Sequence, residues 1–281
     1  MKTPNPELTI RLRLDVAYDG GPFSGWARQP DRPTVQGALE DALSVVFGVP
    51  FALTVAGRTD AGVHATGQVC HADLDRDAWV AAMAGHVIRR VNGVLPPEVR
   101  VLDMRKVPDV FDARFSALWR RYVYRVSDAE YGGLPLNRGD TVWHPRTLGL
   151  RRLQAGSKVL VGEHDFAAFC RRRDGATTIR TLRTLSWSRG SDGVYNATVV
   201  ADAFCHQMVR ALIATLLAVG DGRKPAEWVG QVLDSGDRQR AGGVAPAHGL
   251  TLVEVRYPAD NRLAARAEQT RNRRDEPAIP A

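Results

Sequence analysis

Hydrophobic spacing in this chain switches from the two-residue period of strands to the period of helices, about 3.6 residues, and back again; it does so twice, in the same order. Ile10 to Tyr18 alternates as a strand, and Thr34 to Phe47 has helical spacing with Thr34 placed to cap it. Leu53 to Ala56 and Val63 to Leu74 form a strand pair around a short turn. Apolar residues at Trp79, Val80, Met83, Val87 and Val91 predict one helix over Arg76 to Val91, and Val99 to Val107 returns as a strand. The second half repeats this. Arg121 to Val126 reads as a strand, Leu148 to Leu160 as a helix, and Thr177 to Trp187 with Val194 to Phe204 as a strand pair. His206 to Val219 and Ala226 to Leu233 then read as helices, and Gly249 to Tyr257 as the closing strand. Each half is β-α-β-β-α-β, the ferredoxin-like order, with an extra helix in the second. The halves share no visible sequence identity, so the repeat is one of elements.

The predicted fold class is α/β (α+β): two ferredoxin-like halves, residues 1–110 and 111–257, with largely antiparallel sheets and a catalytic cleft between them. A chain of 281 residues is long enough for each half to bury its own core. Residues 258–281 are polar, rich in arginine and end in Pro-Ala-Ile-Pro-Ala, which predicts a disordered tail. The longest apolar run, Ala211 to Val219, is interrupted by Thr215 and is too short to span a bilayer. Met1 to Thr9 has no basic-then-apolar signal pattern. Cys70, Cys170 and Cys205 are an odd and sparse set, which favours a reducing compartment over a disulfide framework. The expected location is the cytoplasm, with no membrane partner.

The formal net charge is +7, and all but four of the 38 basic residues are arginine. Codon bias accounts for a preference for arginine over lysine, but not for the sign of the charge, which favours polyanionic partners. Arg89-Arg90, Arg120-Arg121, Arg151-Arg152 and Arg171-Arg172-Arg173 are candidates to track phosphates, each with a solvated surface as its plain alternative.

The turn between the first strand pair reads Ala56-Gly57-Arg58-Thr59-Asp60-Ala61-Gly62-Val63-His64-Ala65. Taken alone, Thr-Asp-Ala-Gly is an ordinary Asx-type turn, with Gly57 and Gly62 allowing tight geometry on either side. Other short motifs surround it in sequence. Tyr18-Asp19-Gly20, Phe23-Ser24-Gly25-Trp26 and Thr34-Val35-Gln36-Gly37 precede it. Arg120-Arg121-Tyr122, Gly162-Glu163-His164-Asp165-Phe166 and Phe204-Cys205-His206-Gln207-Met208-Val209-Arg210 follow. In this order, across roughly residues 10 to 257, they resemble the TruA family of tRNA pseudouridine synthases. Ala27 and Thr251 depart from that pattern and leave the candidate site untouched.

The resemblance implies a cofactor-free isomerase that converts uridine to pseudouridine at positions 38, 39 and 40 of the tRNA anticodon stem-loop, working as a homodimer. It makes Asp60 the catalytic nucleophile, with Tyr122, Arg58 and Arg210 contacting substrate. Elementary chemistry fits these roles. The reaction breaks the bond from uracil N1 to the ribose and rejoins the base through C5, with no net redox change and no group donor. An ionised carboxylate can add covalently to the base or sugar and then leave. Burial disfavours its charge, and a nearby guanidinium opposes that.

Arg210 lies in a helix apolar nearly all round, so it requires a partner, with Asp60 and Asp202 both candidates. Tyr122 shares a strand face with Tyr124, and both are core packing residues by pattern alone; the resemblance has Tyr122 stack on the uracil. Arg58 holds the backbone, fills the gap left by the flipped nucleotide, or contacts a phosphate at the surface. Cys70-His71 and Cys205-His206 are poorly spaced for zinc, His64 is better suited to hydrogen bonding within the loop, and no P-loop or dinucleotide fingerprint is present. No metal or small-molecule cofactor is expected. The rival readings are a catalytically silent basic RNA-binding protein on the same fold and a metal-dependent nuclease using Asp60, Asp73 and Asp75.

Overall fold

The computed structural model describes residues 9–83, 85–171 and 177–272. The chain divides into two compact units, Met1–Leu118 with Glu254–Ala281, and Trp119–Val253. The first unit therefore runs past the boundary expected at 110 and regains the chain after Val253. Periodicity locates strands but does not say which neighbours they join.

In the first unit the order is β1 (Thr9–Tyr18), α1 (Val35–Phe47), β2 (Thr54–Val55), β3 (His64–Asp75), α2 (Arg76–Met83), α3 (Val87–Val94) and β4 (Val99–Val107). The sheet order is β4-β1-β3-β2 with every pair antiparallel, which is what a ferredoxin-like order produces. Strict alternation in β1 buries Leu12, Leu14 and Val16 completely. Thr34 caps α1 by accepting from Gly37 N at 3.2 Å. The single helix expected over Arg76 to Val91 is two. His86, at φ −26 and ψ 69, is non-helical and follows Gly85, a poor helix former, so the apolar spacing continues across a broken backbone.

The second unit contains β5 (Trp119–Ser127), β6 (Val142–Trp143), α4 (Leu150–Lys158), β7 (Gly162–Asp165), β8 (Ile179–Arg189), β9 (Tyr195–Ala201), α5 (Met208–Gly220), α6 (Trp228–Ser235) and the start of β10 (Leu250–Arg256), which ends past the unit boundary at Val253. Its strand order is β10-β5-β9-β8, again the ferredoxin-like arrangement, with β7 added at the β8 edge and the short β6 parallel to β5. The β5–β9, β8–β9 and β7–β8 pairs are antiparallel. Helix α5 is the apolar centre: among its 13 residues only Arg210 and Ala214, four apart on one stripe, are not buried.

Two expectations are corrected. The tail does not begin as a disordered segment: after β10 the chain forms α7 (Leu263–Asn272), with Leu263 and Ala267 buried in the first unit. The rest of the predicted tail, 273–281, lies outside the described residues. The cysteines are not all free. Cys170 and Cys205 form a disulfide with Cα atoms 5.6 Å apart, while Cys70 is free and buried. They are brought together by backbone pairing beside them, where Arg171 N donates to His206 O at 3.0 Å. A count of cysteines carries no trace of that approach. Among the described residues no helix is long and apolar enough to cross a membrane.

Candidate active site

The Asp60 loop leaves β2 at Val55 and enters β3 at His64. Its side chains alternate in exposure. Arg58 is exposed, Thr59 is buried, and Asp60 is half-buried. Val63 N donates to Asp60 O at 3.1 Å, closing a four-residue turn. Gly62 is the third residue of that turn with φ +77, the position where a type II turn demands glycine. Gly57 is different. A side chain there would meet nothing within 4 Å and its φ is not left-handed, so tight geometry on that side does not come from Gly57. It comes from Gly25, in another loop. With φ +98, Gly25 sits in a conformation side chains rarely adopt, and a Cβ there would be crowded, 3.0 Å from Thr59 O and 3.3 Å from the Asp60 carbonyl carbon. The same loop supplies Trp26 N, which donates to Thr59 O at 3.1 Å. His64 hydrogen-bonds within the loops, as expected: Gly20 N donates to its Nδ1 at 3.1 Å, and Asp19 Oδ1 lies 3.0 Å from the same nitrogen.

In the second unit β5 presents Arg120, Tyr122, Tyr124 and Val126 on one buried face. Tyr122 is 7% exposed and meets Phe204 edge-on, with ring centroids 5.2 Å apart and planes at 88°. Tyr124 donates its hydroxyl to Pro246 O at 3.1 Å. Burial pushes the Tyr124 phenol well above its ordinary range, and the nearby Arg210 charge opposes that. Arg210 Nε donates to Ala245 O at 2.7 Å, and Ala245 N donates back to Arg210 O at 3.1 Å. Arg210 is thus tied into the backbone ahead of β10. Gln207, a non-glycine at φ +65, turns the Phe204–Arg210 segment into α5, and Arg238 Nη2 donates to its Oε1 at 2.5 Å.

Asp202, the other acid considered for Arg210, has Oδ1 accepting from Thr181 N at 3.0 Å and from Ala203 N at 2.7 Å. Arg120 is no phosphate-tracking surface residue. It is 7% exposed and donates to Asp202 O at 2.7 Å, because β5 alternation turns it inward. Arg89, Arg90, Arg151 and Arg152 are exposed, whereas Arg172 and Arg173 lie outside the described residues. Among the described residues no group of three or more histidine, cysteine and acidic side chains is placed to hold a metal ion. Cys70 is fully buried, and His71 uses Nδ1 to accept from Ala113 N at 3.1 Å.

Residues 157–258 match the family model described as tRNA pseudouridine synthase. The tRNA pseudouridine synthase A of Frankia casuarinae is 60% identical over 263 residues, covering 93% of this chain and 94% of that one. The chain belongs to the tRNA pseudouridine synthase A family. The family member of Streptomyces griseus is 55% identical over 271 residues, covering 95% of each chain. A solved H/ACA RNP bound to a substrate RNA containing 2′-deoxyuridine overlaps 74% of this chain and 53% of that one, with 12% identity. Its TM-score is 0.31.

The pattern that resembled the family in sequence is thus part of a relationship that runs through both units. Sequence reasoning had missed three groups around the Asp60 loop: Gly25, Tyr18 and Gln68. Gly25 stood inside a quoted motif with no role attached. Tyr18 falls in phase with the apolar face of β1 and reads as a core residue, while Gln68 is a polar residue buried in β3 that its chemistry does not mark as interior.

Proposed function

We propose that this chain is an isomerase that converts uridine to pseudouridine in tRNA, acting at positions 38, 39 and 40 of the anticodon stem-loop, with Asp60 as its nucleophile. Family membership across nearly the whole chain supports the activity and the tRNA substrate. The single observation carrying the nucleophile is local: the loop backbone is clamped through buried Thr59 while the neighbouring Asp60 is half-buried. A carboxylate on a fixed loop suits covalent addition to the uridine. Cleavage of N1–C1′ and formation of C5–C1′ leave the composition unchanged, since C5 loses a proton and N1 gains one.

Tyr122 stacks on the uracil and assists removal of the C5 proton. Its position on a buried strand face, braced edge-on by Phe204, gives the rigid aromatic surface this needs. Arg210 binds the substrate through its guanidinium, and Arg58, in its exposed position, fills the gap left by the flipped nucleotide or contacts a phosphate. The protein works in the cytoplasm as a homodimer, in which two basic surfaces are available to one tRNA.

The test is incubation with unmodified tRNA in the presence of a chelator, followed by nucleoside analysis and mapping of the modified positions. Pseudouridine at 38, 39 and 40 is the expected result. A tRNA that is bound but unmodified would favour the silent RNA-binding alternative, and loss of activity with chelator would implicate a metal.

A further inference from the structure

A buried chain of hydrogen bonds lies against the loop that carries Asp60. Tyr18, the last residue of β1, is 5% exposed, and its hydroxyl is 2.8 Å from Thr59 Oγ1. Gln68 of β3 is fully buried, and its Nε2 donates to the Tyr18 hydroxyl at 3.1 Å and to Gly57 O at 2.9 Å. The orientation of the Gln68 amide follows from its partners. A carbonyl only accepts, so the NH2 side faces Gly57 O, while Oε1 accepts from Val69 N at 3.1 Å. The register between β1 and β3 slips between Val16 and Tyr18, the kind of irregularity that re-aims a strand side chain beside a site. Burial holds the Tyr18 phenol far above its ordinary range, with the bonds to Thr59 and Gln68 opposing, so it remains a neutral donor and acceptor.

We propose that Tyr18 and Gln68 are positioning residues for the isomerisation, fixing Gly57 and Thr59 so that the Asp60 carboxylate is presented to the uridine in one geometry. This rests on the reading of Asp60 as nucleophile. The two anchored residues flank Arg58, and the second immediately precedes Asp60. An apolar pair would fill the same interior at lower desolvation cost, because each buried polar group must find a partner. What the polar network supplies instead is directional fixing of two backbone points on a short loop. Covalent attack depends on such fixing, since a displacement of about 1 Å can cost about a hundredfold in rate.

The experiment compares Tyr18→Phe, Gln68→Met and Thr59→Val with the parent, and uses Thr59→Ser as the conservative rescue. Single-turnover rates are measured with enzyme in excess over unmodified tRNA, alongside the tRNA Kd, at a temperature where circular dichroism shows each variant folded. The three deletions should slow the single-turnover step on the order of ten- to a hundredfold, with Kd little changed. Thr59→Ser should retain near-parental rate, and Tyr18→Phe combined with Gln68→Met should lose less than the product of the single losses. Parental single-turnover rates in the folded deletions, whatever their melting temperatures, would overturn the proposal, as would Thr59→Ser being as slow as Thr59→Val. Asp60→Asn run in parallel separates the two claims. Turnover by Asp60→Asn removes the nucleophile reading itself, whereas an inactive Asp60→Asn beside unaffected Tyr18→Phe and Gln68→Met removes only the positioning role.

Discussion

Arg210 is tied to Ala245 through its own Nε and carbonyl. Lysine keeps the charge but has one nitrogen, so it cannot hold Ala245 O and present a planar donor pair together. Arg210→Lys should therefore lower turnover by about a hundredfold, the scale of losing one preorganised donor, with tRNA affinity retained. Steady-state kinetics with a filter-binding Kd check this, and near-normal turnover would make Arg210 a structural residue. At this scale legibility was uneven. The readings of Asp60, Tyr122 and Arg210 rest on contiguous strings with a recognisable order. The Tyr18–Thr59 and Gln68–Tyr18 contacts join residues 41 and 50 positions apart, which no contiguous string displays. Gly57 and Gly62 are equivalent in the sequence, and backbone angles separate them.

Among elements, the loop carrying Gly25 and Trp26 sets the Asp60 loop from outside the strand pair. Gly25→Ala adds a Cβ crowded by Thr59 O, Ala61 N and the Asp60 carbonyl carbon, at a φ that side chains avoid. A loss of about 1–3 kcal/mol in stability is expected, with a fall in turnover beyond what the unfolded fraction explains. Denaturant melts and single-turnover rates on the folded protein test both parts. A second element-level prediction concerns His71 in β3. Burial, reinforced by Arg11, lowers its pKa below the ordinary 6.5, so the folded protein favours the neutral ring. The stability it contributes is fully present above pH 6.5 and is lost as pH falls from there towards the lowered value, because the unfolded chain takes up the proton first. Thermal melts of His71→Gln should show a shallower decline over that window than the parent; identical slopes would contradict it. Element order was legible because it follows from periodicity and short connections. The break before Val87 and the helix Leu263–Asn272 were not, since one depends on local backbone angles and the other on tertiary burial of a polar segment.

For the whole molecule, the net charge of +7 and exposed arginines such as Arg89, Arg90, Arg151 and Arg152 favour an electrostatic grip on a polyanion, the form of tRNA binding we propose. Several arginine–phosphate contacts should make affinity fall on the order of a thousandfold between about 50 and 200 mM salt. Filter binding across that range tests this, and a flat response would contradict the electrostatic grip. Charge sign was readable from composition, but the sorting of arginines was not: Arg120 serves the interior and its neighbours in other clusters serve the surface. The central claim is that Asp60 performs covalent chemistry on uridine in tRNA, and Asp60→Asn measures it most directly. The amide is nearly isosteric, so fold and tRNA affinity should survive, the latter because phosphate contacts dominate it. Nucleoside analysis of tRNA incubated with Asp60→Asn, verified by mass spectrometry as free of deamidation, should detect no pseudouridine. That exceeds the roughly hundred- to ten-thousand-fold loss expected if Asp60 served only in acid–base assistance. Substantial pseudouridine formation by that protein would contradict the account.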